Sequence, residues 1–365
     1  MCLHSNLLLS VFLLGLTGIN RASAQDISSH PLTEVQSEEV SPLFSGEEVV
    51  QFTLRGDLGA LFNAIGEDNS YHPFVLSYRE GTQIRDIPLR IRTRGHFRRQ
   101  KRICGMPPLL LDFPGDSLTI QTLFSHQEKL KLVVPCTGDE YVVREYLVYK
   151  LYNLISPMSF LDRLVLVTFE DSGHRVKSQT HYCFLLEQDV KMAARNGSEV
   201  WKKQLLNQSH LQREDTRKMA VFQYMIGNTD WGVSFLQNIV LVTPDTLLPP
   251  VGVPYDFDQA GIVDAPYAAP HAELGITSNL TRLYRGLCET DLNQLDSTFK
   301  LFNQLKPRFY QVYDSCTLIS PSYRKFVHRF LDGFYRTINN RRDREHEFSA
   351  PCKPENHIEI KGMKN

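Results

Sequence analysis

The chain changes character once along its length, and where it changes limits its fold more than any other feature. Residues 49–54, 74–78, 87–93, 109–113 and 129–134 are short β-rich runs, separated by Gly, Asp or Pro signals. Residues 163–170 and 180–186 are two more, joined through Asp171-Ser172-Gly173 as in a hairpin. From Leu185-Leu186-Glu187-Gln188-Asp189 onward the spacing turns helical and polar. One helix interrupts the strands. Thr137 and Glu140 have the spacing of a capping box, Val143, Leu147, Leu151 and Leu154 form an apolar stripe, and Ser156-Pro157 stops it. Strands first and helices second predict an α+β protein.

The strand at residues 87–95 alternates apolar with basic residues, so one face is buried and the arginines face either solvent or phosphate. The second half opens with charged helical sequence to about residue 205. Ser209 and Gln212 then have capping-box spacing ahead of a helix carrying Met219, Phe222 and Ile226 on one face. The domain plan expected is a signal peptide at 1–24, a flexible leader at 25–46, a β-rich first lobe at 47–186, a helical second lobe at 187–345 and a charged tail at 346–365. The signal peptide rests on the apolar run at 7–16 and the small residues Ala22-Ser23-Ala24. That run is too short to span a bilayer, which predicts a secreted or periplasmic protein without a transmembrane anchor.

With 42% hydrophobic residues in 365, a full core can form, and a net charge of -1 gives no reason to expect nucleic acid as a partner. Of seven cysteines, cleavage would remove Cys2 and leave six, an even set that an oxidising compartment could pair. Cys104 with Cys136 is the favoured pair, because both border strands of the same half, and Cys183 sits in an apolar run as a buried thiol would.

Two oxygen-rich turns carry the chemistry. Ile226-Gly227-Asn228-Thr229-Asp230-Trp231 ends an amphipathic helix, and Pro254-Tyr255-Asp256-Phe257-Asp258-Gln259 follows an apolar strand, with Asn238 before another apolar run between them. Carboxylate and amide oxygens at such turns suit Mg²⁺, which keeps the rest of its shell for water and phosphate. A further carboxylate can orient or deprotonate an attacking hydroxyl. Each residue also has a plainer reading. Asp230 could cap a turn, Asp256 and Asp258 could bind structural Ca²⁺, and Asn228 is a common helix stop. Glu145 could be in a surface ion pair with Arg144 or Lys150, or could hold a lysine from the preceding strand. His96, His181 and His271 are isolated and read as surface or core histidines.

Residues 226–231 and 255–258, together with Tyr182–Gln188 and the basic stretch Arg92-Thr93-Arg94-Gly95, resemble the motifs of the CotH kinase family, atypical secreted kinases related to spore-coat protein H, and more distantly those of HipA-type kinases. The resemblance implies a two-lobed atypical protein-kinase-like fold that transfers the γ-phosphoryl group of ATP, with Mg²⁺ or Mn²⁺, to a hydroxyl acceptor, protein being the first candidate. It implies Asp230 as the catalytic carboxylate, Asn238 and Asp256 as metal ligands and Asp258 assisting the metal. It also implies Glu187 at the adenine linker and Glu145 holding a nucleotide lysine. Lys131 is the first choice for that lysine, with Lys129 and Lys101 behind it. Asn238 lies farther from Asp230 than the family spacing, and no Gly-rich phosphate loop stands near residues 50–60 beyond Arg55–Gly59. An inactive kinase-like binding protein therefore stays open, as does a metal-binding surface protein or hydrolase using the same acids.

Overall fold

The computed structural model describes residues 40–63, 70–95, 98–99, 103–115, 119, 121–202 and 205–352. The expected signal peptide, most of the leader, the end of the tail, His96 and Lys101 lie outside them. After a short turn of helix, α1 (Pro42–Ser45), the chain runs through β1 (Val50–Gly56), α2 (Leu58–Asn63), β2 (His72–Glu80), β3 (Gln83–Thr93), β4 (Leu109–Asp112) and β5 (Lys129–Val133). From β2 onward each of these strands pairs antiparallel with the strand before it. The helix α3 (Asp139–Asn153) follows, then the hairpin of β6 (Asp162–Asp171) and β7 (Gln179–Leu186).

β7 docks on β5, and β6 docks in parallel on β1, from Val50 opposite Val165 to Gly56 opposite Asp171. This last pairing closes seven strands into a barrel of order β1-β2-β3-β4-β5-β7-β6. The α+β class holds. The two-lobed kinase-like fold does not, because a closed barrel of mixed strands replaces the strand-rich lobe that the resemblance implied. The physical reason is the parallel register of β1 with β6. It satisfies both edges that an open sheet would leave unpaired.

The strand alternation is as the sequence predicts. Ile87, Leu89 and Ile91 point into the barrel with Phe52, Leu76 and Val167, whereas Arg90 is turned outward. The second half of β7 is buried on both faces, with Cys183 and Leu185 inside the barrel and Phe184 and Leu186 in a second core. That second core joins α3 to the helices α5 (Arg213–Ile226), α6 (Asp296–Asp314) and α7 (Pro321–Asn339). α3 is buried nearly all round, from Val142 and Val143 to Tyr149 and Tyr152, so the stripe seen in the sequence understates its burial.

Two caps differ from expectation. α3 starts after Gly138 with no side-chain cap, and the Asp139 carboxylate instead accepts from the Tyr182 N–H at 2.8 Å. Ser209 does not open α5; Asn207 and His210 form a capping box on a short 3₁₀ turn, and Gln212 caps the helix proper. The charged stretch after β7 holds one short helix, α4 (Asp189–Arg195), and then β8 (Glu199–Val200). β8 pairs with β9 (Ile239–Thr243), which pairs with β10 (Val251–Pro254). The last described elements are α8 (Arg341–Phe348) and a 3₁₀ turn at Ala350–Cys352. The Cys104–Cys136 bond is present, and a second bond joins Cys288 to Cys352. Cys183 is a buried free thiol.

Candidate functional site

α5 ends at Gly227, whose φ of 68° is left-handed; a side chain there would also meet the Asn279 carbonyl oxygen at 3.1 Å. Asn228 then does more than stop a helix. Its Nδ2 donates to Gln223 Oε1 at 3.0 Å, and its Oδ1 accepts from the Asp230 N–H at 3.0 Å. The loop is pinned by fully buried Trp231 and by Arg285, which donates to the Thr229 carbonyl at 2.7 Å and to that of Trp231 at 2.5 Å.

The long spacing from Asp230 to Asn238 is absorbed by a small closed loop. Gly232 and Gln237 exchange backbone hydrogen bonds of 3.0 and 2.9 Å, which folds Asn238 back onto Asp230. Asn238 Nδ2 donates to Asp230 Oδ2 at 3.0 Å and to the Asp230 carbonyl at 2.9 Å. Asn238 immediately precedes β9 and Asp256 lies two residues past β10, at the same end of an antiparallel pair, with the Tyr255 N–H donating to the Asn238 carbonyl at 3.0 Å. Both have positive φ, 51° for Asn238 and 60° for Asp256, a conformation that Asn and Asp adopt more readily than most residues. The Asp256 N–H donates to the Tyr149 hydroxyl at 2.9 Å, tying this turn to α3.

Glu145 faces the same turn. It is buried, and its Oε1 accepts from the Phe257 N–H at 3.3 Å. Its partner is not a strand lysine. Arg98, from the loop after β3, lies 3.9 Å from Glu145, 3.3 Å from Asp256 and 3.5 Å from Asp258. Sequence reasoning missed Arg98; the run of basic residues around it was the only available signal. Burial pushes the Asp258 carboxyl up to about 7, with the Arg98 charge pulling it back, and burial likewise raises Glu145 well above the usual range. The surface-pair reading of Glu145 fails too, because Lys150 pairs with Asp162 at 2.6 Å and Arg144 reaches Asp264 at 3.9 Å.

Lys131 sits nearby but makes different contacts. Its ammonium lies 5.0 Å from the ring centre of Tyr255 and 5.8 Å from that of Phe160. Burial lowers its pKa to about 8, the Arg94 charge adds to that, and Asp189 and Asp256 oppose it. Arg94, Arg98 and Lys131 therefore bring three positive charges to the neighbourhood of Asp256 and Tyr255. The Glu187 side chain is fully engaged, accepting from Arg195 at 3.0 Å and from the Leu161 N–H at 2.9 Å. Its backbone N–H donates to the Leu161 carbonyl. It holds the end of β7 in place.

His271, which the sequence presents as an isolated surface or core histidine, has a partner here. Its Nε2 lies 3.1 Å from Asp230 Oδ1, which also accepts from Gln237 Nε2 at 3.0 Å. The Asp230 carboxylate is thus held by three side chains.

Among the described residues no group of three or more His, Cys, Asp and Glu side chains forms a ready metal cage. The donors near Asp256 still fit a hard dication of the Mg²⁺ type, which uses one or two carboxylates and fills its shell with water and phosphate. Glu145, Asp256 and Asp258 share the Arg98 guanidinium at 3.9, 3.3 and 3.5 Å. A cavity of about 750 Å³ lies elsewhere on the barrel, beside Arg55, Phe74, Leu89, Arg90 and His174, and shares no residue with this cluster.

The fold and site together define an α+β barrel protein with an acidic, cation-ringed turn beside a closed helical core. No protein-family profile matches the chain, and no curated protein matches it.

Proposed function

We propose that this protein transfers the γ-phosphoryl group of ATP, complexed with Mg²⁺ or Mn²⁺, to a hydroxyl acceptor, with a protein side chain as the first candidate. The observation that carries the proposal is the convergence of Asn238 and Asp256 at one end of the β9–β10 pair, with Asp230 held against the Asn238 amide at 3.0 Å. Phosphoryl transfer needs little covalent chemistry from a protein. It needs metal-binding oxygens, cations for the phosphates and a group that organises the acceptor hydroxyl. Asn238 and Asp256 would hold the metal, which neutralises charge on the phosphates, and Asp258 would support it through Arg98. Lys131 and Arg94 would meet phosphate oxygens. Asp230 would bind and steer the acceptor hydroxyl.

None of this requires a kinase fold, because such a site can be built on different scaffolds. Two disulfides support an extracytosolic setting, as the sequence of the N-terminus does. Among the described residues no helix is long and apolar enough to cross a membrane.

The test is incubation of the purified chain with γ-labelled ATP, Mg²⁺ or Mn²⁺ and a panel of protein acceptors. Transfer that falls about a hundredfold or more in Asp230→Asn supports the proposal. Nucleotide binding without any transfer would replace it with the inactive binding-protein reading.

A further inference from the structure

Where one face of a sheet meets water, the alternate residues on that face are ordinarily polar. One end of the barrel departs from that rule. Arg55, Val75 and Pro88 stand opposite one another across β1, β2 and β3, and Pro73, Arg90 and Asp112 form the next row across β2, β3 and β4. Two prolines and a valine therefore face outward between two arginines. The turn after β6 forms a wall beside them, its Ser172 N–H donating to the Gly56 carbonyl at 2.8 Å. A Cβ at Gly56 would lie 2.5 Å from the Phe74 ring, so glycine lets that ring take its place in the lining. The cavity enclosed here has a volume of about 750 Å³, within the span of small-molecule sites, about 300–1,000 Å³.

The two arginines differ. The Arg90 guanidinium pairs with Asp112 and lies 5.2 Å from the ring centre of Tyr71. These contacts hold it in place while its side chain stays 65% exposed. Arg55 is exposed and makes no ion pair among the described residues, not even with Glu170 opposite it on β6. His174, also exposed, stands on the wall. An unpaired guanidinium beside an apolar floor is complementary to a carboxylate carried on an apolar body, because the arginine fork takes both carboxylate oxygens. Covering prolines costs almost no side-chain entropy.

We propose that this cavity binds an organic monoanion, a carboxylate on an aliphatic body. The carboxylate meets Arg55, and the body lies over Val75, Pro73 and Pro88. Asp112 does not repel such a ligand, because its side chain is only 9% exposed and is already paired with Arg90. A recessed apolar floor suits a free small molecule better than a bilayer, which takes up apolar side chains that project. The cavity shares no residue with the acidic turn, so the inference stands independently of phosphoryl transfer.

The experiment titrates the purified protein with sodium decanoate, below its micelle concentration, by isothermal calorimetry. Decanol serves as the uncharged comparison, and flotation with phosphatidylglycerol vesicles tests a membrane. The variants are Arg55→Gln and Val75→Glu; both positions face outward, and a urea midpoint matching wild type shows that each is folded. Saturable decanoate binding at one site is expected, weakened about tenfold or more by Arg55→Gln and lost in Val75→Glu. Decanol should bind wild type about tenfold or more weakly than decanoate and be indifferent to Arg55→Gln. The decanol comparison needs wild type alone, so it decides the matter even where a variant fails to fold. No saturable decanoate binding, equal binding of decanoate and decanol, or decanoate binding that both variants retain would overturn the proposal. Vesicle binding without decanoate binding would overturn it in favour of a membrane surface.

Discussion

Arg98 is the residue on which the acidic turn depends, and replacing it with methionine has a consequence with a defined sign. Its side chain is 9% exposed, and it is the cation shared by Glu145, whose side chain is 3% exposed, and Asp258, at 8%. Arg98→Met keeps much of the packing volume and leaves two buried carboxylates without that cation. Breaking a buried ion pair by removing one partner costs about 3–5 kcal/mol. The loss should depend on pH. Arg98 is the largest influence lowering the pKa of both acids, opposing the burial that raises them. Without it their native-state pKa values move further above the unfolded ones. Between those values the folded protein binds more protons than the unfolded chain, so stability falls as pH rises. The variant's deficit should therefore be smallest near pH 5, where both acids can stay protonated, and largest above the wild-type Asp258 value of about 7. Urea unfolding of the metal-free proteins at pH 5 and pH 8 measures this. The expected deficit at pH 8 is about 3–5 kcal/mol, a midpoint shift of roughly 1 M or more, with less than half of it at pH 5. An equal deficit at both pH values, or one below about 1 kcal/mol at pH 8, would refute the placement of Arg98 as the shared counter-ion.

Other perturbations have equally direct readouts. Tyr149→Phe removes the hydroxyl that accepts from the Asp256 N–H; it should cost about 1 kcal/mol in denaturant unfolding and weaken Mg²⁺-nucleotide binding, and unchanged binding would separate α3 from the site. Gly261→Ala would place a methyl group 2.1 Å from the Asn279 backbone oxygen, so a loss of about 1–3 kcal/mol is expected by thermal or urea unfolding. Replacing Cys288 and Cys352 together by serine opens a 64-residue separation and should cost about 4 kcal/mol in urea unfolding, set against the intact protein under non-reducing conditions.

Much of the site was readable because it lies in two short turns at the ends of apolar elements. Asn238 contacts Asp230 and its carbonyl accepts from the Tyr255 N–H beside Asp256, and the long Asp230–Asn238 spacing is taken up by the Gly232–Gln237 bridge. The Cys104–Cys136 bond and the buried Cys183 thiol were legible from their neighbours. What escaped the sequence is long-range. Strand periodicity reports which residues face inward, and it says nothing about β1 finding β6 across more than a hundred residues, which is the pairing that closes the barrel. Glu145 was matched to a lysine on the strand before it, while its partner Arg98 comes from an irregular loop in which no period points anywhere. His271 looked isolated because its contact with Asp230 is made by the chain folding back over 41 positions. Neither expected capping box forms: α3 has no side-chain cap, its Asp139 carboxylate accepting from the Tyr182 N–H instead, and α5 is capped by Gln212 while Asn207 caps the 3₁₀ turn before it.

The central claim is that Asp256 and Asn238 hold a metal–nucleotide complex. A thermal-shift titration with ATP, with and without Mg²⁺ or Mn²⁺, tests it most directly, on wild type beside Asp256→Ala and Asn238→Ala. Ligand that binds only the folded state stabilises it by about 2.7 kcal/mol at a hundred times its Kd. The account predicts a metal-dependent rise in Tm for wild type that is lost in both variants. No rise with any nucleotide and metal, or a rise that both variants retain, would contradict it.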